Sequence, residues 1–124
     1  MTKKSETPYD SLERIFHEPN RMAIMSALCT AEKGLRFSDI KKTCNLTDGN
    51  LNRHLKVLSE AKAITIKKKF VDDKPCTTVS LSEIGLQRFN EYLNALEQVL
   101  QRAKEAVSED ARGQAPFIGE TVGA

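Results

Sequence analysis

The segment TDGNLNRHLK, residues 47–56, carries side chains that can hydrogen-bond to the edges of nucleic-acid bases. Arg53 has a forked guanidinium that fits O6 and N7 of guanine, and the amide of Asn50 or Asn52 can pair with N6 and N7 of adenine. Gly49 removes bulk where a backbone could approach a phosphate, an anion that the free N–H groups of a helix start favour. The chemistry indicated is the binding of a nucleic acid.

Helical periodicity puts these polar side chains on one face. Leu51, Leu55 and Leu58 repeat at helical spacing, which predicts a helix that Thr47 caps and that runs to about Ala61. The face opposite the leucines consists of Gly49, Asn50, Arg53, Lys56 and Glu60, with Asn52 on its flank. Ordinary surface helices also have a polar face, so this face alone does not decide the function.

A shorter helix is predicted just before this one. Ser38 offers an N-cap, and Ile40 and Cys44 give an apolar stripe over about two turns. Asn45 and Leu46 then form a tight turn. Two helices joined by such a turn form a helix-turn-helix unit, in which 47–61 is the second helix, the one that reads bases.

A β-hairpin is predicted after the second helix, because the apolar period changes from 3.6 to 2 at Ala63. Ile64 and Ile66 alternate with polar residues, 71–75 has turn chemistry, and a second alternating run starts at Cys76. Lysines lie near the tip of this hairpin: Lys67, Lys68, Lys69 and Lys74. They are either phosphate contacts or a solvated edge that discourages strand pairing.

Further helices are predicted on both sides of this unit. Leu12, Ile15 and Phe16 indicate a short amphipathic helix over 9–16, and Pro19 begins another that runs to about Lys33. Ser82 caps a last helix whose apolar residues form a heptad seam: Leu86, Phe89, Leu93, Leu96, Leu100, Ala103 and Val107.

A heptad seam keeps one stripe facing a partner helix, so the last helix predicts a homodimer. We expect the helix over 9–16 to cover part of the stripe and a second copy to cover the rest. The predicted dimer interface is Leu12, Ile15, Phe16, Phe89, Leu93, Leu96, Leu100, Ala103 and Val107.

The composition argues against several other classes of protein. The chain has 124 residues, enough for one domain, and no apolar run or leader-like start that would indicate a membrane span or a secretory signal. Its three cysteines, Cys29, Cys44 and Cys76, are widely and irregularly spaced, as in a reducing cytoplasm. No nucleophile elbow, phosphate loop or metal-ligand spacing is present. We therefore expect a cytoplasmic protein that is not an enzyme and has no catalytic residue, cofactor, metal or membrane contact.

The net charge of +2 conceals an uneven distribution. Residues 31–74 hold eleven Lys and Arg against six Asp and Glu, whereas residues 75–124 hold four against seven. A basic middle favours a polyanionic partner there, although an uneven solvated surface would look the same.

The motifs HEPNRMAIMSAL, RFSDIKKTCNLTDGNLNRHLKVLSEA and ITIKKKFVDDKPCTTVSLSEIG resemble the small prokaryotic winged-helix regulators related to the MarR and ArsR families. The resemblance covers residue 10 to about 104 and implies a dimeric DNA-binding regulator that contacts DNA through residues 48–56 and 67–74. The family usually has glycine where this chain has Lys62, so the helix must end differently there or accept strain. The cysteine pair of the ArsR-type metal sensors is missing, so metal sensing is not carried over.

The prediction is therefore a mainly α protein with a small β-hairpin wing (α+β), a winged helix-turn-helix with a long C-terminal dimerisation helix. Residues 1–8 are predicted as a flexible arm, 9–107 as the domain including the helix 82–107, and 108–124 as a disordered tail. The predicted DNA contacts are Ser38, Thr47, Asp48, Gly49, Asn50, Asn52, Arg53, Lys56, Lys67, Lys68, Lys69 and Lys74.

The function predicted for this fold is sequence-specific binding of double-stranded DNA by a homodimeric regulator, acting as a repressor. The alternative is a winged helix that binds another protein and no DNA. Whether a small-molecule effector acts on the protein stays open. His54 falls at the edge of the buried stripe, which favours a packing or hydrogen-bonding role over base reading.

Overall fold

A computed structural model describes residues 12–113 and gives the element order of a winged helix-turn-helix. The helices and strands are α1 (Pro19–Cys29), β1 (Leu35–Arg36), α2 (Phe37–Cys44), α3 (Asp48–Glu60), β2 (Ile64–Val71), β3 (Lys74–Leu81) and α4 (Glu83–Gly113). The strands form an antiparallel sheet in the order β1-β3-β2. The predicted fold class, mainly helical with a hairpin wing, is confirmed. In the part described, no helix is long and apolar enough to cross a bilayer.

The core lies between the helices and the inner face of the sheet. Ile24 and Leu28 of α1, Leu51 of α3 and Val79 of β3 are all buried there. The root of α4 adds Phe89, whose ring meets that of Phe16 edge-on at 5.3 Å between centroids. Helix α3 is thus held on its inner side by apolar contacts, which leaves its outer side exposed.

The helix predicted over 9–16 is not found in its described part. Residues 14–16 form a turn, and residues 9–11 lie outside the described residues. A helix continuing here would need the carbonyl of Ile15 to accept from the N–H of Pro19, which proline lacks. The Ile15 carbonyl instead accepts from Nε of Arg21 at 2.7 Å. The segment therefore turns once and leads directly into α1.

Two helix boundaries near the N-terminal half differ from the prediction. Ser38 is not the N-cap of α2, because the helix already begins at Phe37. The N-cap position is taken by Arg36, which is extended, pairs with Thr78 and makes no side-chain capping bond. Helix α1 ends at Cys29, short of Lys33. The first difference arises because β1 pairs with β3 immediately before α2 begins. Helix α1 ends where Thr30 donates to the Ala27 oxygen through both its Oγ1 and its backbone N.

The last helix continues past the predicted end at 107. Helix α4 runs for 31 residues to Gly113, so the prediction of disorder from residue 108 is wrong for 108–113. Residues 101–110 contain no glycine or proline, and Gln101 donates to Glu105 at 3.0 Å one turn later. Good helix formers extend the helix where the apolar period has ended. The predicted arm 1–8 and residues 114–124 lie outside the described residues.

Candidate nucleic-acid interface

The start of the recognition helix is fixed by a side-chain cap and an ion pair. Oγ1 of Thr47 accepts from the backbone N of Asn50 at 3.1 Å, which confirms Thr47 as the N-cap of α3. Asp48 follows, and its Oδ1 lies 2.9 Å from Nζ of Lys41 on α2. Because Asn45 adopts a left-handed conformation (φ 56°) at the end of α2, the chain turns sharply between the two helices.

The outer face of α3 is exposed, as the leucine spacing predicts. Gly49, Asn50, Asn52, Arg53 and Lys56 are all exposed, opposite the buried leucines. Nη2 of Arg53 donates to Oδ1 of Asn50 at 3.2 Å, so two potential base-reading groups lie side by side. A Cβ atom built at Gly49 would meet nothing within 4 Å, so the backbone is accessible there. This surface can present several hydrogen-bond donors to one partner.

A groove separates the recognition helix from the wing. Asn52 and Lys56 of α3 lie on one side and Lys68 of β2 on the other, around a space of about 490 Å³. Phe37 and Ile66 also line it. The structure therefore brings Lys68 together with the predicted contacts of α3.

The other wing lysines lie elsewhere. Lys67 and Lys69 pair with Thr78 and Cys76, in register positions that face away from the Lys68–Thr77 pair. Lys74 lies near the wing tip and, with Arg36 and Ser38, lines a second concavity of about 530 Å³. The side chains predicted to contact DNA are thus divided between the face of α3, the groove, this second concavity and, for Lys67 and Lys69, the opposite face of the wing.

The tip of the wing is a two-residue turn. Asp72 and Asp73 both have positive φ (54° and 64°), the conformation of a type I′ hairpin turn. Just before it, Phe70 is 73 % exposed. The sequence analysis did not predict that Phe70 is exposed. Strand alternation puts Phe70 on the same face as Ile66, but it does not reveal that the helices covering Ile66 do not extend to the wing tip.

Two basic residues near this surface were also missed. Lys41 reaches Asp48 across the turn, and Arg36 is exposed beside Ser38. Lys41 lies on α2 and Arg36 on β1, and nothing in the sequence pattern indicates that either residue lies close to α3. The excess of Lys and Arg over residues 31–74 is the only indication that included them.

His54 lies in the interior, on the inner side of α3. It is 4 % exposed, and its Nδ1 is 3.2 Å from Nη1 of Arg21, which can only donate. The ring is therefore neutral with the proton on Nε2, and burial lowers the pKa of His54 from its ordinary value. Nε2 has no hydrogen-bond partner among the described residues. The structure supports a packing and bonding role.

The predicted dimer residues divide into covered and exposed sets. Phe16 and Phe89 are buried against each other within the single chain, so the predicted dimer interface rests on the other residues of the set. Leu12, Ile15 and Leu96 are half-buried and pack on the same core, whereas Ala103 is exposed. The last three residues of the set, Leu93, Leu100 and Val107, are 39–60 % exposed. Together with Leu86, a residue of the heptad seam that was not predicted in the interface, they recur every seven residues.

The order of elements, the exposed second helix and the hairpin beside it define a winged-helix protein. The family described as winged helix DNA-binding domain matches residues 20–100, and the chain belongs to that family. A curated relative, the uncharacterized protein MJ0432 of Methanocaldococcus jannaschii, is 31% identical over 86 residues, which are 69% of this chain and 92% of the relative.

Solved structures of regulators have the same fold. A transcriptional regulator homologue from Pyrococcus horikoshii OT3 superposes with a TM-score of 0.70 at 28% identity, over 77% of this chain and 94% of the other. A MarR-family transcriptional regulator from Silicibacter pomeroyi superposes with a TM-score of 0.57 at 15% identity, over 86% and 70% of the two chains. The resemblance to winged-helix regulators is confirmed, and at the lower identity the likeness concerns the fold alone.

Proposed function

We propose that this protein is a transcriptional regulator that binds double-stranded DNA sequence-specifically as a homodimer and acts as a repressor in the cytoplasm. The observation that carries the proposal is the pair Asn50 and Arg53, hydrogen-bonded together on the exposed face of the second helix of a winged helix-turn-helix. These two side chain types match the purine edges of the major groove, which is wide enough to admit a helix.

The groove beside α3 supports separate roles for the two surfaces, with base recognition by α3 and phosphate contacts by the lysines that line the groove. With α3 in a major groove, Lys68 on the wing side would meet the adjacent phosphate backbone, together with Lys56. Contacts to phosphates give affinity without base preference. If the dimer neutralises roughly 6–10 phosphates, affinity falls about 10³–10⁵-fold between 50 and 200 mM salt.

The stripe on α4 supports the homodimer. Leu86, Leu93, Leu100 and Val107 recur every seven residues and are half exposed in the single chain. A seven-residue repeat keeps one edge of the helix facing a partner helix. Two recognition helices joined in this way would read half-sites about one helical turn, 10–10.5 bp, or a multiple apart.

Selection of bound sequences from random duplex DNA, repeated at two salt concentrations, tests the proposal. A palindromic consensus with a regular half-site spacing is expected at both, with lower recovery at high salt. Recovery of no consensus, with no duplex shifting the amide signals of α3, would refute DNA reading. When the selected operator is placed upstream of a reporter gene, binding of the protein to it should lower transcription of the reporter, and increased transcription would refute repression.

A winged helix that binds another protein is the second candidate. The observation that favours it is the wing tip, where Phe70 and Val71 are exposed apolar residues. A protein-binding wing has no need of a basic groove, so Lys68 discriminates between the two candidates. If Lys68→Glu leaves every interaction of the protein intact, the protein-binding alternative is supported.

A further inference from the structure

Three consecutive carbonyl groups after α3 accept hydrogen bonds from the start of α4. Ser82 donates from its backbone N to the Ala63 oxygen at 3.1 Å and from Oγ to the Lys62 oxygen at 2.7 Å. Arg88 donates from Nη1 to the Ala61 oxygen at 2.8 Å. We call this cluster, residues 61–63 with Ser82, Gly85 and Arg88, the α3–α4 joint.

The way α3 ends makes these carbonyl groups available. Lys62 adopts a left-handed conformation with φ 63°. Its N–H donates to the Ser59 oxygen at 2.9 Å, and the N–H of Ala63 donates to the Leu58 oxygen at 2.9 Å. This is a Schellman ending, which closes the last turn and leaves the following carbonyls to bond outside the helix.

Close approach of the two backbones completes the joint. A Cβ atom at Gly85 would lie 1.9 Å from the Ala63 oxygen, so no residue other than glycine fits without movement. Oγ of Ser82 accepts from the N–H of Gly85 at 2.9 Å while it donates to Lys62. One hydroxyl thus caps α4 and ties it to the end of α3.

Arg88 is itself held from a third segment. Its guanidinium forms a two-pronged pair with Glu13, with Nη2 2.6 Å from Oε1 and Nε 3.3 Å from Oε2. The guanidinium also lies 5.7 Å from the centre of the Phe16 ring. These contacts hold the side chain so that Nη1 meets the Ala61 oxygen.

We propose that the α3–α4 joint fixes the orientation of the recognition helix relative to α4, which makes Ser82 and Arg88 positioning residues that set the half-site spacing accepted by the dimer. The inference rests on the proposed function, in which α4 pairs two subunits and each α3 reads one half-site. Apolar packing holds α3 against the core, and the directional bonds of the joint fix its orientation relative to α4.

The direct test measures affinity for operators whose half-sites are moved apart by one or two base pairs. Wild-type protein is expected to lose about tenfold in affinity for the first inserted base pair, because that pair rotates and displaces one half-site. In Arg88→Gln and Ser82→Ala, this loss should shrink to about twofold or less, while affinity for an isolated half-site stays unchanged. Circular dichroism checks that both variants are folded.

Glu13→Gln is the matched control. It removes the charge but keeps a side-chain oxygen that can accept from the Arg88 guanidinium. Arg88 therefore stays in place to donate to the Ala61 oxygen, and the spacing preference of the variant should remain like that of the wild type. If Glu13→Gln and Arg88→Gln relax spacing equally, or if neither Arg88→Gln nor Ser82→Ala relaxes it, positioning through the carbonyls is refuted.

Hydrogen exchange separates failure of the joint from failure of DNA binding. Amides of residues 58–63 should exchange about tenfold faster in Arg88→Gln, with the amides of α1 unchanged as an internal reference. If wild-type protein binds no duplex, the proposed function fails, and with it the role in spacing. Accelerated exchange would then still establish the joint, whereas unchanged exchange would refute it.

Discussion

Arg21 on α1 donates a hydrogen bond from Nη1 to Nδ1 of His54 on α3, at 3.2 Å. The same arginine bonds the Ile15 carbonyl through Nε, so it links the segment before α1 to the inner side of the recognition helix. The bond requires an unprotonated Nδ1, and this requirement makes the stability of the fold dependent on pH.

Acidification should destabilise the fold through His54. Burial lowers the pKa of His54 below its ordinary value of 6.5, so unfolding takes up a proton at mildly acidic pH. The contribution of neutral His54 to the free energy of unfolding is fully present above about pH 6.5 and is lost as the pH falls below that value. The free energy of unfolding then decreases by at most about 1.4 kcal/mol per pH unit. Urea unfolding between pH 5 and 8 measures it. His54→Gln should flatten the slope, and an equal slope in that variant would contradict the assignment.

Arg53→Ala should relax base preference at one position in each half-site, at a cost of about 1–3 kcal/mol in specific binding. The guanidinium is exposed and is held beside Asn50, so no core contact is lost. Titration against operators substituted one position at a time measures the effect. Lys68→Ala is the control, since it should weaken binding to all sequences alike. An unchanged preference in Arg53→Ala would remove this side chain from the reading surface.

Gly49→Ala should stabilise the free protein and weaken its complex with DNA. The added methyl meets nothing within 4 Å, and alanine in place of glycine in a helix adds about 0.5–1 kcal/mol to the free energy of unfolding. On DNA the methyl would occupy the space where the backbone approaches a phosphate. Denaturant unfolding and binding titrations should therefore move in opposite directions. Ser26→Ala, on the exposed side of α1, should leave DNA binding unchanged; equal DNA affinity in Gly49→Ala would argue against that close approach.

Leu100→Glu should convert a dimer into monomers without unfolding them. Leu100 is 52% exposed in the single chain, so a charge is tolerated there until a second helix covers it. Sedimentation equilibrium measures the change in mass. Asn94→Glu, on the same helix off the exposed stripe, is expected to remain dimeric. A wild-type protein that sediments as a monomer at all concentrations would contradict the homodimer.

Lys62→Gly should raise the free energy of unfolding by about 0.5–1 kcal/mol. A left-handed non-glycine residue costs about 1–2 kcal/mol, which exceeds the backbone entropy that glycine loses on folding. Thermal unfolding measures the difference. Lys56→Gly, within regular helix on α3, should lower stability by about the same amount. A destabilised Lys62→Gly would show that the lysine side chain makes a larger contribution than its backbone strain.

Local periodicity was sufficient to predict the surface of α3. Leu51, Leu55 and Leu58 mark one side of the helix, so the exposure of Asn50 and Arg53 on the other side follows from geometry alone. The change of period at Ala63 likewise predicted the hairpin, and Thr47 predicted the start of the helix.

Contacts between distant segments could not be predicted in the same way. Phe89 and Leu93 belong to one heptad stripe, yet Phe89 is covered by Phe16 from the same chain while Leu93 is 39% exposed. A stripe tells which side of a helix is apolar, but the covering segment depends on tertiary folding. The bonds from Arg88 to Ala61 and Glu13 span 27 and 75 residues, and no sequence pattern signals either one.

Because α4 is long, a small change in its angle at the first turn moves its far end by a large distance. A helix of 31 residues measures about 46 Å from root to tip, at about 1.5 Å per residue. A tilt of about 5° at the root would therefore sweep the far end through about 4 Å, close to the rise of about 3.4 Å between stacked base pairs. In the proposed dimer, a single substitution at the first turns of α4 would therefore change the distance between the two recognition helices without altering any predicted DNA contact.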